Sequence, residues 1–317
     1  MKEVPAVRIA MIGAGGVGGV MAADLVRAGA VVRLLARGAH LAAIQSRGLR
    51  VETAEAEATV LVDATESLEG NEAFDLAIIA VKSWSLDDVA PVAASLAKAG
   101  AIVVPLLNGV DAADRLAERG VPRRQLLGGL VYVSATRVGH GHVRRTSPFR
   151  RAIVGELDGG MSPRADHVAA ILGHAGWEAS AVPDINVHLW RKYIFITSFA
   201  SACALSRTSI GRIRAAPLGP FLLDHAVDEI LAVARAHGIA LPDGERERVR
   251  AQLDAMPADM KPSLLHDLEH GGPTEVDALS GAIARLGRTV SVPTPIHDAA
   301  TAAIQAALSA ASDETQP

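Results

Sequence analysis

The sequence has little of what disulfide, nucleic-acid or membrane chemistry requires. It contains one cysteine, Cys203, so no disulfide can form within the chain, and we predict a buried thiol. Aromatic residues make up 3% of the 317 residues and the net charge is −4, which excludes a basic, base-stacking surface. The longest apolar stretch, residues 193–205, is too short to span a bilayer. Residues 1–5 carry no hydrophobic signal segment, so we expect a cytoplasmic location and no membrane partner.

Apolar runs in the first half alternate with helical patterns. Residues 76–81 and 102–107 are continuous apolar runs, typical of parallel strands covered on both faces, and residues 85–98 between them predict a crossover helix. Residues 126–135 and 142–155 flank a Gly139-His140-Gly141 turn and predict a hairpin added to the parallel sheet. We interpret His140 and His142 as turn and strand residues and predict no metal site.

The β pattern ends after a last strand at residues 177–182. Five helices are predicted beyond it, at residues 186–206, 217–237, 243–256, 274–286 and 294–311. The predicted fold class is therefore α/β, with a Rossmann-type domain at residues 1–184 and an all-helical domain at residues 185–311. Residues 312–317 are polar and predict a disordered tail.

A glycine motif, Gly13-x-Gly15-x-x-Gly18, follows the first apolar run and opens a helical pattern at residues 17–28. Gly13 permits a sharp turn, Gly15 lets a pyrophosphate approach the backbone, and Gly18 lets the helix pack closely on the sheet. We therefore predict that Gly13, Ala14, Gly15, Gly16, Val17 and Gly18 bind a dinucleotide. The alternative is a glycine-rich turn that binds no nucleotide.

The end of the second predicted strand indicates which dinucleotide binds. NAD enzymes usually place Asp or Glu there, ~20 residues past the motif, whereas this chain has Arg37 and no carboxylate nearby. A guanidinium attracts the 2′-phosphate of NADP through charge-assisted hydrogen bonds. We predict NADPH (NADP+) as cofactor, with a solvated surface arginine as the alternative.

Five further segments, in this order and spacing, carry a family resemblance: Leu35-Ala36-Arg37-Gly38, Ala80-Val81-Lys82, Leu107-Asn108-Gly109-Val110, Trp190-Arg191-Lys192, and Lys261-Pro262-Ser263 with Gly272-Pro273-Thr274-Glu275. From residue 7 to about 310 the chain resembles the ketopantoate reductases (2-dehydropantoate 2-reductases). The resemblance implies that residues 1–184 are the NADP-binding domain and that residues 185–311 are a helical substrate and catalytic domain like the C-terminal domain of 6-phosphogluconate dehydrogenase. It also implies reduction of 2-dehydropantoate to pantoate, a step of pantothenate biosynthesis, with hydride from NADPH.

Lys192 is the only lysine between Lys98 and Lys261, and a strongly apolar helix face follows it. A cation near the carbonyl oxygen would stabilise the negative charge that hydride transfer creates and could deliver the proton. The resemblance implies that Lys192 is the general acid, whereas its other interpretation is a solvated helix charge. Glu275, at a predicted helix start, is either a carboxylate favoured by the helix dipole or, as the family implies, a residue that positions Lys192 and contacts substrate or the nicotinamide ribose.

Three more positions have both a functional and a structural interpretation. The resemblance implies that Asn108 lies beside cofactor and substrate, although Asn-Gly is also a common turn. It implies that Ser263 binds the substrate carboxylate, although a serine after proline also serves as a helix N-cap. Lys82 corresponds to a lysine that assists with the NADP phosphates, or is a solvated side chain.

The sequence departs from the family at Ile196 and Ala200, where asparagines typically bind ketopantoate. Both positions lie on the Lys192 face of a helix. An apolar face favours, as an alternative, another and more apolar 2-oxo or 3-hydroxy acid. An alternative of another class is a non-catalytic NADPH-binding sensor. The apolar faces of the helical domain fit either a homodimer contact or a core.

Overall fold

The computed structural model describes residues 7–68 and 72–313, which form two compact units. The first contains the described residues up to Leu107 together with Ala112–Asn186. The second contains Asn108–Asp111 and the described residues from Val187 onward. Of the predicted tail, residues 312 and 313 belong to the last helix and residues 314–317 lie outside the described residues.

The first unit alternates strands and helices, as the apolar runs predict. Its elements, in chain order, are β1 (Arg8–Ile12), α1 (Gly16–Arg27), β2 (Val31–Leu35), α2 (Gly38–Arg47), β3 (Leu49–Glu52), β4 (Glu57–Val60), β5 (Asp63–Thr65), β6 (Leu76–Ile79), α3 (Leu86–Lys98), β7 (Ile102–Pro105), α4 (Ala112–Glu118), β8 (Gly128–Tyr132), β9 (Ala135–Gly139), β10 (His142–Arg145), β11 (Arg151–Gly155), α5 (Pro163–His174) and β12 (Glu178–Ala181).

A five-stranded parallel sheet, in the order β5-β2-β1-β6-β7, forms the centre of this unit. Along β1, Ile9 and Met11 belong to one apolar core while Ala10 and Ile12 belong to another, since successive side chains point to opposite faces. The strand order reverses between β1 and β6, and ligands of such sheets bind at the carboxyl edge beside this switch point. The predicted α/β class with a Rossmann-type first half is confirmed.

The predicted hairpin is present, but it does not extend the parallel sheet. Strands β9 and β10 pair antiparallel around Gly141, whose φ is +71°. β10 also pairs with β3, which gives a separate sheet in the order β4-β3-β10-β9, while β8, β11 and β12 form a third. The hairpin lies in a separate sheet because β10 packs against α1. A Cβ on Gly19 of α1 would lie 2.9 Å from a methyl group of Val143 in β10.

The second unit is helical among its described residues. Its helices are α6 (Ile185–Ser206, which begins in the first unit), α7 (Ile210–Ala215), α8 (Gly219–Ala236), α9 (Glu245–Ala255), α10 (Ser263–Glu269), α11 (Ser280–Thr289) and α12 (Pro295–Asp313). They enclose one apolar core that includes Ile194, Ile230 and Ile283. Cys203 is buried there, and burial raises the pKa of its thiol to about 12. None of the helices in the described ranges combines the length and apolar character that a membrane span needs.

Candidate functional site

The glycine loop between β1 and α1 has room for glycine alone at two of its three motif positions. Gly13 has φ +110°, and a Cβ on it would lie 2.7 Å from the Ala80 carbonyl oxygen. A Cβ on Gly18 would lie 2.0 Å from the Gly13 carbonyl oxygen. A Cβ on Gly15, in contrast, would have no atom within 4 Å. The open space above Gly15 is where a pyrophosphate can approach the backbone.

The start of α1 fits an anion. Gly15 is the N-cap, it supplies no side chain to the first turn, and that turn contains no acidic residue. The first N–H groups of a helix have no partner within the helix, and its dipole favours negative charge. A dinucleotide pyrophosphate therefore fits the residues present, which include the half-buried Val17 and Gly16.

The loop forms one wall of a cavity of about 250 Å³ within the first unit. Its other walls come from the carboxyl end of β2, the segment after β6, the first turns of α2 and α3, and one residue of β9. The lining residues are Gly13, Ala14, Gly15, Leu35, Ala36, Arg37, His40, Val81, Ser85, Val89 and Arg137. His40 and Arg137 were not predicted from the sequence, because neither belongs to a recognisable motif.

The two predicted phosphate-binding cations differ in position. Arg37 is the exposed N-cap residue of α2 and lines the cavity. Lys82 follows the lining residue Val81 but is not itself part of the lining, and its Nζ lies 5.4 Å from the centre of the Trp84 ring. Of these two cations, Arg37 is part of the cavity lining and Lys82 is not.

Lys192 is the centre of a polar cluster in the second unit. It lies in the second turn of α6, is half-buried, and donates a hydrogen bond of 3.0 Å from Nζ to the Asn108 Oδ1. Burial lowers the pKa of Lys192 to about 8, and the charge of Glu275 acts in the opposite direction. Lys192, Asn108 and Glu275 thus belong to one unit, where Asn108 contacts Lys192 and the charge of Glu275 acts on it.

Glu275 is not in a helix. It is buried and lies in a bend that leads into a turn at residues 276–279, and α11 begins only at Ser280. The turn is closed by hydrogen bonds from the Ala278 and Leu279 N–H groups to the Glu275 carbonyl oxygen. The prediction of a helix start at Thr274 was wrong, so the helix dipole does not account for this carboxylate.

Tyr193 connects the lysine helix with this turn. Its buried hydroxyl lies 2.6 Å from the Leu279 carbonyl oxygen, to which it donates, and 3.1 Å from that of Ala278. Since Tyr193 is adjacent to Lys192, the hydroxyl fixes the turn that carries Glu275 relative to α6. This residue was not predicted from the sequence, because an aromatic residue in an apolar helix is usually part of a core.

The Asn108 loop is held by the second unit. Gly109 has φ +120°, and Val110 packs against the helical core. Asp111 lies 3.5 Å from the Arg285 guanidinium of α11. These contacts hold the loop that presents the Asn108 amide to Lys192.

Ser263 is the first residue of α10 rather than its N-cap, which is Pro262. Ser263 is exposed, and within the described part of the chain its hydroxyl makes no capping hydrogen bond. The N-cap interpretation was therefore wrong. Among the described residues, Ser263 forms no hydrogen bond with Lys192, Asn108 or Glu275.

The face that follows Lys192 along α6 is apolar. Ile196 is half-buried and Ala200 is buried. The Ser198 and Ser201 hydroxyls donate to the helix backbone instead, Ser198 Oγ to the Ile194 carbonyl and Ser201 Oγ to the Thr197 carbonyl, both at 2.6 Å.

Comparison with known proteins agrees with this architecture. The family model described as "Ketopantoate reductase PanE/ApbA" matches residues 9–159, and that of its C-terminal domain matches residues 184–308. The 2-dehydropantoate 2-reductase of Mesorhizobium japonicum is 31% identical over 94% of this chain and 97% of its own.

Solved structures show the same fold over nearly the whole chain. A PanE/ApbA family ketopantoate reductase from Ralstonia eutropha JMP134 matches with a TM-score of 0.87 and 28% identity, over 96% of this chain and 100% of the other. D-mandelate dehydrogenase, in a ternary structure with NADH and anilino(oxo)acetate, matches in fold with a TM-score of 0.88 at 23% identity, over 96% and 99%. The chain belongs to the ketopantoate reductase family and is an oxidoreductase that acts on CH–OH groups.

Proposed function

We propose that this chain is an NADPH-dependent reductase that converts a 2-oxo acid to the 2-hydroxy acid, and that 2-dehydropantoate is its first candidate substrate. The observation that carries the proposal is the Lys192 ammonium, whose pKa burial lowers to about 8 and which the Asn108 amide holds at 3.0 Å. Family membership supports the reaction class. With 2-dehydropantoate as substrate, the reaction is a step of pantothenate biosynthesis.

Lys192 would supply the proton. NADPH, when bound, supplies the hydride that reduces the carbonyl carbon. Negative charge then develops on the carbonyl oxygen, and an ammonium within hydrogen-bond reach stabilises it and donates the proton that completes the hydroxyl group. A lysine with a pKa near 8 is mostly protonated at neutral pH and is a stronger acid than an exposed lysine.

Asn108 and Glu275 would keep Lys192 in its reactive state. The Asn108 Oδ1 accepts one of the three ammonium protons, which orients Nζ. The charge of Glu275 favours the protonated lysine and limits the effect of burial. Both residues would also contact the cofactor or the substrate, as the family implies.

The residues of the first unit would hold NADPH. Gly13, Ala14, Gly15, Gly16, Val17 and Gly18 would bind the pyrophosphate through the start of α1. Arg37 would bind the 2′-phosphate, since it occupies the position where NAD enzymes usually carry a carboxylate. Lys82 would assist at the rim, where its ammonium stacks over Trp84.

A second candidate substrate is a more apolar 2-oxo acid, and a specific observation favours it. Ile196 and Ala200 offer no hydrogen bond to a substrate hydroxyl, and the nearby Ser198 and Ser201 hydroxyls are bound to the helix backbone. An unpaired polar group in a site costs about 1–3 kcal/mol. Asn108 and Ser263 remain as candidates to bind the substrate carboxylate.

Oxidation of NADPH at 340 nm with 2-dehydropantoate, beside branched and aromatic 2-oxo acids, tests the proposal. The highest kcat/KM with 2-dehydropantoate would support the first candidate, and preferential turnover of an apolar acid would support the second. Stable NADPH in the presence of every acid would contradict both and leave the non-catalytic sensor.

A further inference from the structure

The cavity above the glycine loop contains two guanidinium groups from separate elements. Arg37 precedes α2, and Arg137 is the central residue of β9. Both are exposed, and neither has an ion-pair partner in the described ranges, residues 7–68 and 72–313. Two cations without carboxylate partners in the lining of one cavity favour a ligand group with more than one negative charge.

Ala135, the first residue of the strand that carries Arg137, packs against the start of α1. A Cβ on Gly16 would lie 2.3 Å from the Ala135 carbonyl oxygen, so β9 is packed directly on the start of α1. Alternate residues of a strand point to the same side, so Arg137 shares the side of Ala135.

The far end of the hairpin is anchored to the start of α2. The buried His40 of α2 accepts a hydrogen bond of 2.9 Å at Nδ1 from the Gly141 N–H. Its Nε2 therefore carries the proton and donates to the Ala14 carbonyl oxygen at 2.8 Å. Burial lowers the pKa of His40, which favours this neutral form. β9 thus runs from the start of α1 toward the start of α2, and Arg137 lies between these two points.

We propose that Arg137 binds the 2′-phosphate of NADP(H) together with Arg37, and so determines the preference for NADP(H). The inference rests on the proposed function. A phosphate monoester carries a charge of about −1.5 to −2 at neutral pH, which matches two guanidinium groups better than one. The pyrophosphate has its own donors at Gly15 and the start of α1, whereas Arg137 lies along β9 toward the α2 end, where Arg37 is.

Binding of two nucleotide fragments to the full-length protein tests this role without catalysis. Adenosine 2′,5′-bisphosphate and adenosine 5′-monophosphate differ only in the 2′-phosphate. Calorimetric titration of wild type, Arg137→Gln, Arg137→Lys and Arg37→Gln measures each Kd. Arg144→Gln is the matched control, because Arg144 lies on the neighbouring strand, pairs with Glu52 at 2.8 Å and is not part of the cavity lining.

We expect Arg137→Gln to weaken binding of the bisphosphate by about 10- to 100-fold, as expected for one charged hydrogen bond. Binding of the monophosphate should change by less than about twofold, Arg137→Lys should retain part of the affinity, and Arg144→Gln should bind both fragments like wild type. Because Arg137 is exposed, the variant should melt at the wild-type temperature.

Two results for the Arg137→Gln variant would overturn the inference. Both can be distinguished from failure of the proposed function, which the wild-type protein alone reveals. An equal loss for both fragments would place Arg137 at the 5′-phosphate, and an unchanged Kd would remove it from the site. If wild type itself binds both fragments equally, the proposed NADPH preference fails, and this inference fails with it. If wild type discriminates and Arg137→Gln discriminates equally well, only the inference fails.

Discussion

Lys192 is subject to two opposing influences that set its acidity. Burial disfavours the ammonium and lowers its pKa to about 8, whereas the Glu275 charge favours the ammonium. The Asn108 amide accepts one proton of the ammonium and so holds Nζ in place. Such a group stays charged at pH 7 and can still release a proton to an alkoxide oxygen.

This balance predicts a pH dependence. Because the protonated lysine is the reactive form, kcat/KM for reduction should fall as the pH rises through about 8. Glu275→Gln removes the charge that favours the ammonium, so the pKa of Lys192 should fall and the decline should begin at lower pH. Profiles of kcat/KM from about pH 6 to about pH 10 measure both effects. This range contains the expected decline near pH 8 and extends toward the ordinary lysine pKa of about 10.4.

The matched control for this profile is Asp254→Asn, which removes a carboxylate that pairs with Arg250 on α9. Its profile should coincide with that of wild type. A decline in Glu275→Gln that stays in place or moves to higher pH would contradict the electrostatic role of Glu275.

The residues of the Lys192 cluster could be predicted only in part. The resemblance identified Lys192, Asn108 and Glu275, and the sequence alone showed that Lys192 is an isolated lysine followed by an apolar face. Tyr193 could not be identified, because its role depends on carbonyl groups of residues 278 and 279, far away in sequence. Arg137 was missed for the same reason, since its position depends on the pairing of β10 with β3.

At the scale of single elements, Tyr193 joins α6 to the turn that precedes α11. Tyr193→Phe removes the hydroxyl and leaves two buried carbonyl groups with one partner fewer, which should lower the free energy of unfolding by about 1–3 kcal/mol. Because the turn carries Glu275, kcat should fall and the decline of kcat/KM with pH should shift. The Kd of NADPH should stay within about twofold.

Chemical denaturation and a pH profile of the variant measure these effects. A loss of stability with unchanged kcat and pH profile would show that Tyr193 supports the fold and does not position Glu275.

Two glycines of the motif at the start of α1 are expected to have different roles, Gly18 in folding and Gly15 in cofactor binding. Gly18→Ala should lower stability by about 1–3 kcal/mol, because its Cβ would lie 2.0 Å from the Gly13 carbonyl oxygen. Gly15→Ala should fold normally, because Gly15 has φ −72° and open space beside it. Its methyl group would occupy that space, so the affinity for NADPH should fall about tenfold or more.

Melting temperatures and fluorescence titration with NADPH measure these two effects. Gly173→Ala is the control, since Gly173 lies inside α5 and a Cβ on it would have no atom within 4 Å. This variant should melt at or above the wild-type temperature, because alanine favours a helix more than glycine does. Wild-type NADPH affinity in Gly15→Ala would contradict a pyrophosphate site at this position.

Elements with a local signal were predictable, and those that depend on long-range pairing were not. The glycine spacing and the apolar runs predicted β1, α1, β6, α3 and β7 because each pattern lies within one segment. The sheet that receives the β9–β10 hairpin depends on β3, which is remote in sequence. The start of α11 was placed too early because the turn before it also depends on Tyr193, which is remote in sequence and bonds the Ala278 and Leu279 carbonyl groups.

At the scale of the whole molecule, the two units carry different parts of the proposed chemistry. The glycine loop, Arg37 and the cavity belong to the first unit, whereas Lys192, Asn108 and Glu275 belong to the second. Replacement of Lys192 therefore leaves the cavity residues unchanged, so loss of catalysis and loss of cofactor binding can be separated.

The fold does not determine the substrate. The same architecture matches a ketopantoate reductase and, at lower identity, D-mandelate dehydrogenase. In this chain Ile196 and Ala200 are apolar at positions where the resemblance implies asparagines. The fold class followed from the sequence, whereas the substrate has to be measured.

The most direct test of the central claim is a single-turnover reaction of wild type and Lys192→Ala, each with bound NADPH, mixed with the best 2-oxo acid of the panel. Wild type should lose absorbance at 340 nm and form the 2-hydroxy acid. Lys192→Ala should bind NADPH with wild-type affinity but react about 10²- to 10⁴-fold more slowly, the usual contribution of a general acid. The control Lys98→Ala, an exposed lysine at the end of α3, should react like wild type. An unchanged rate in Lys192→Ala, or no reaction of wild type with any 2-oxo acid, would contradict the account.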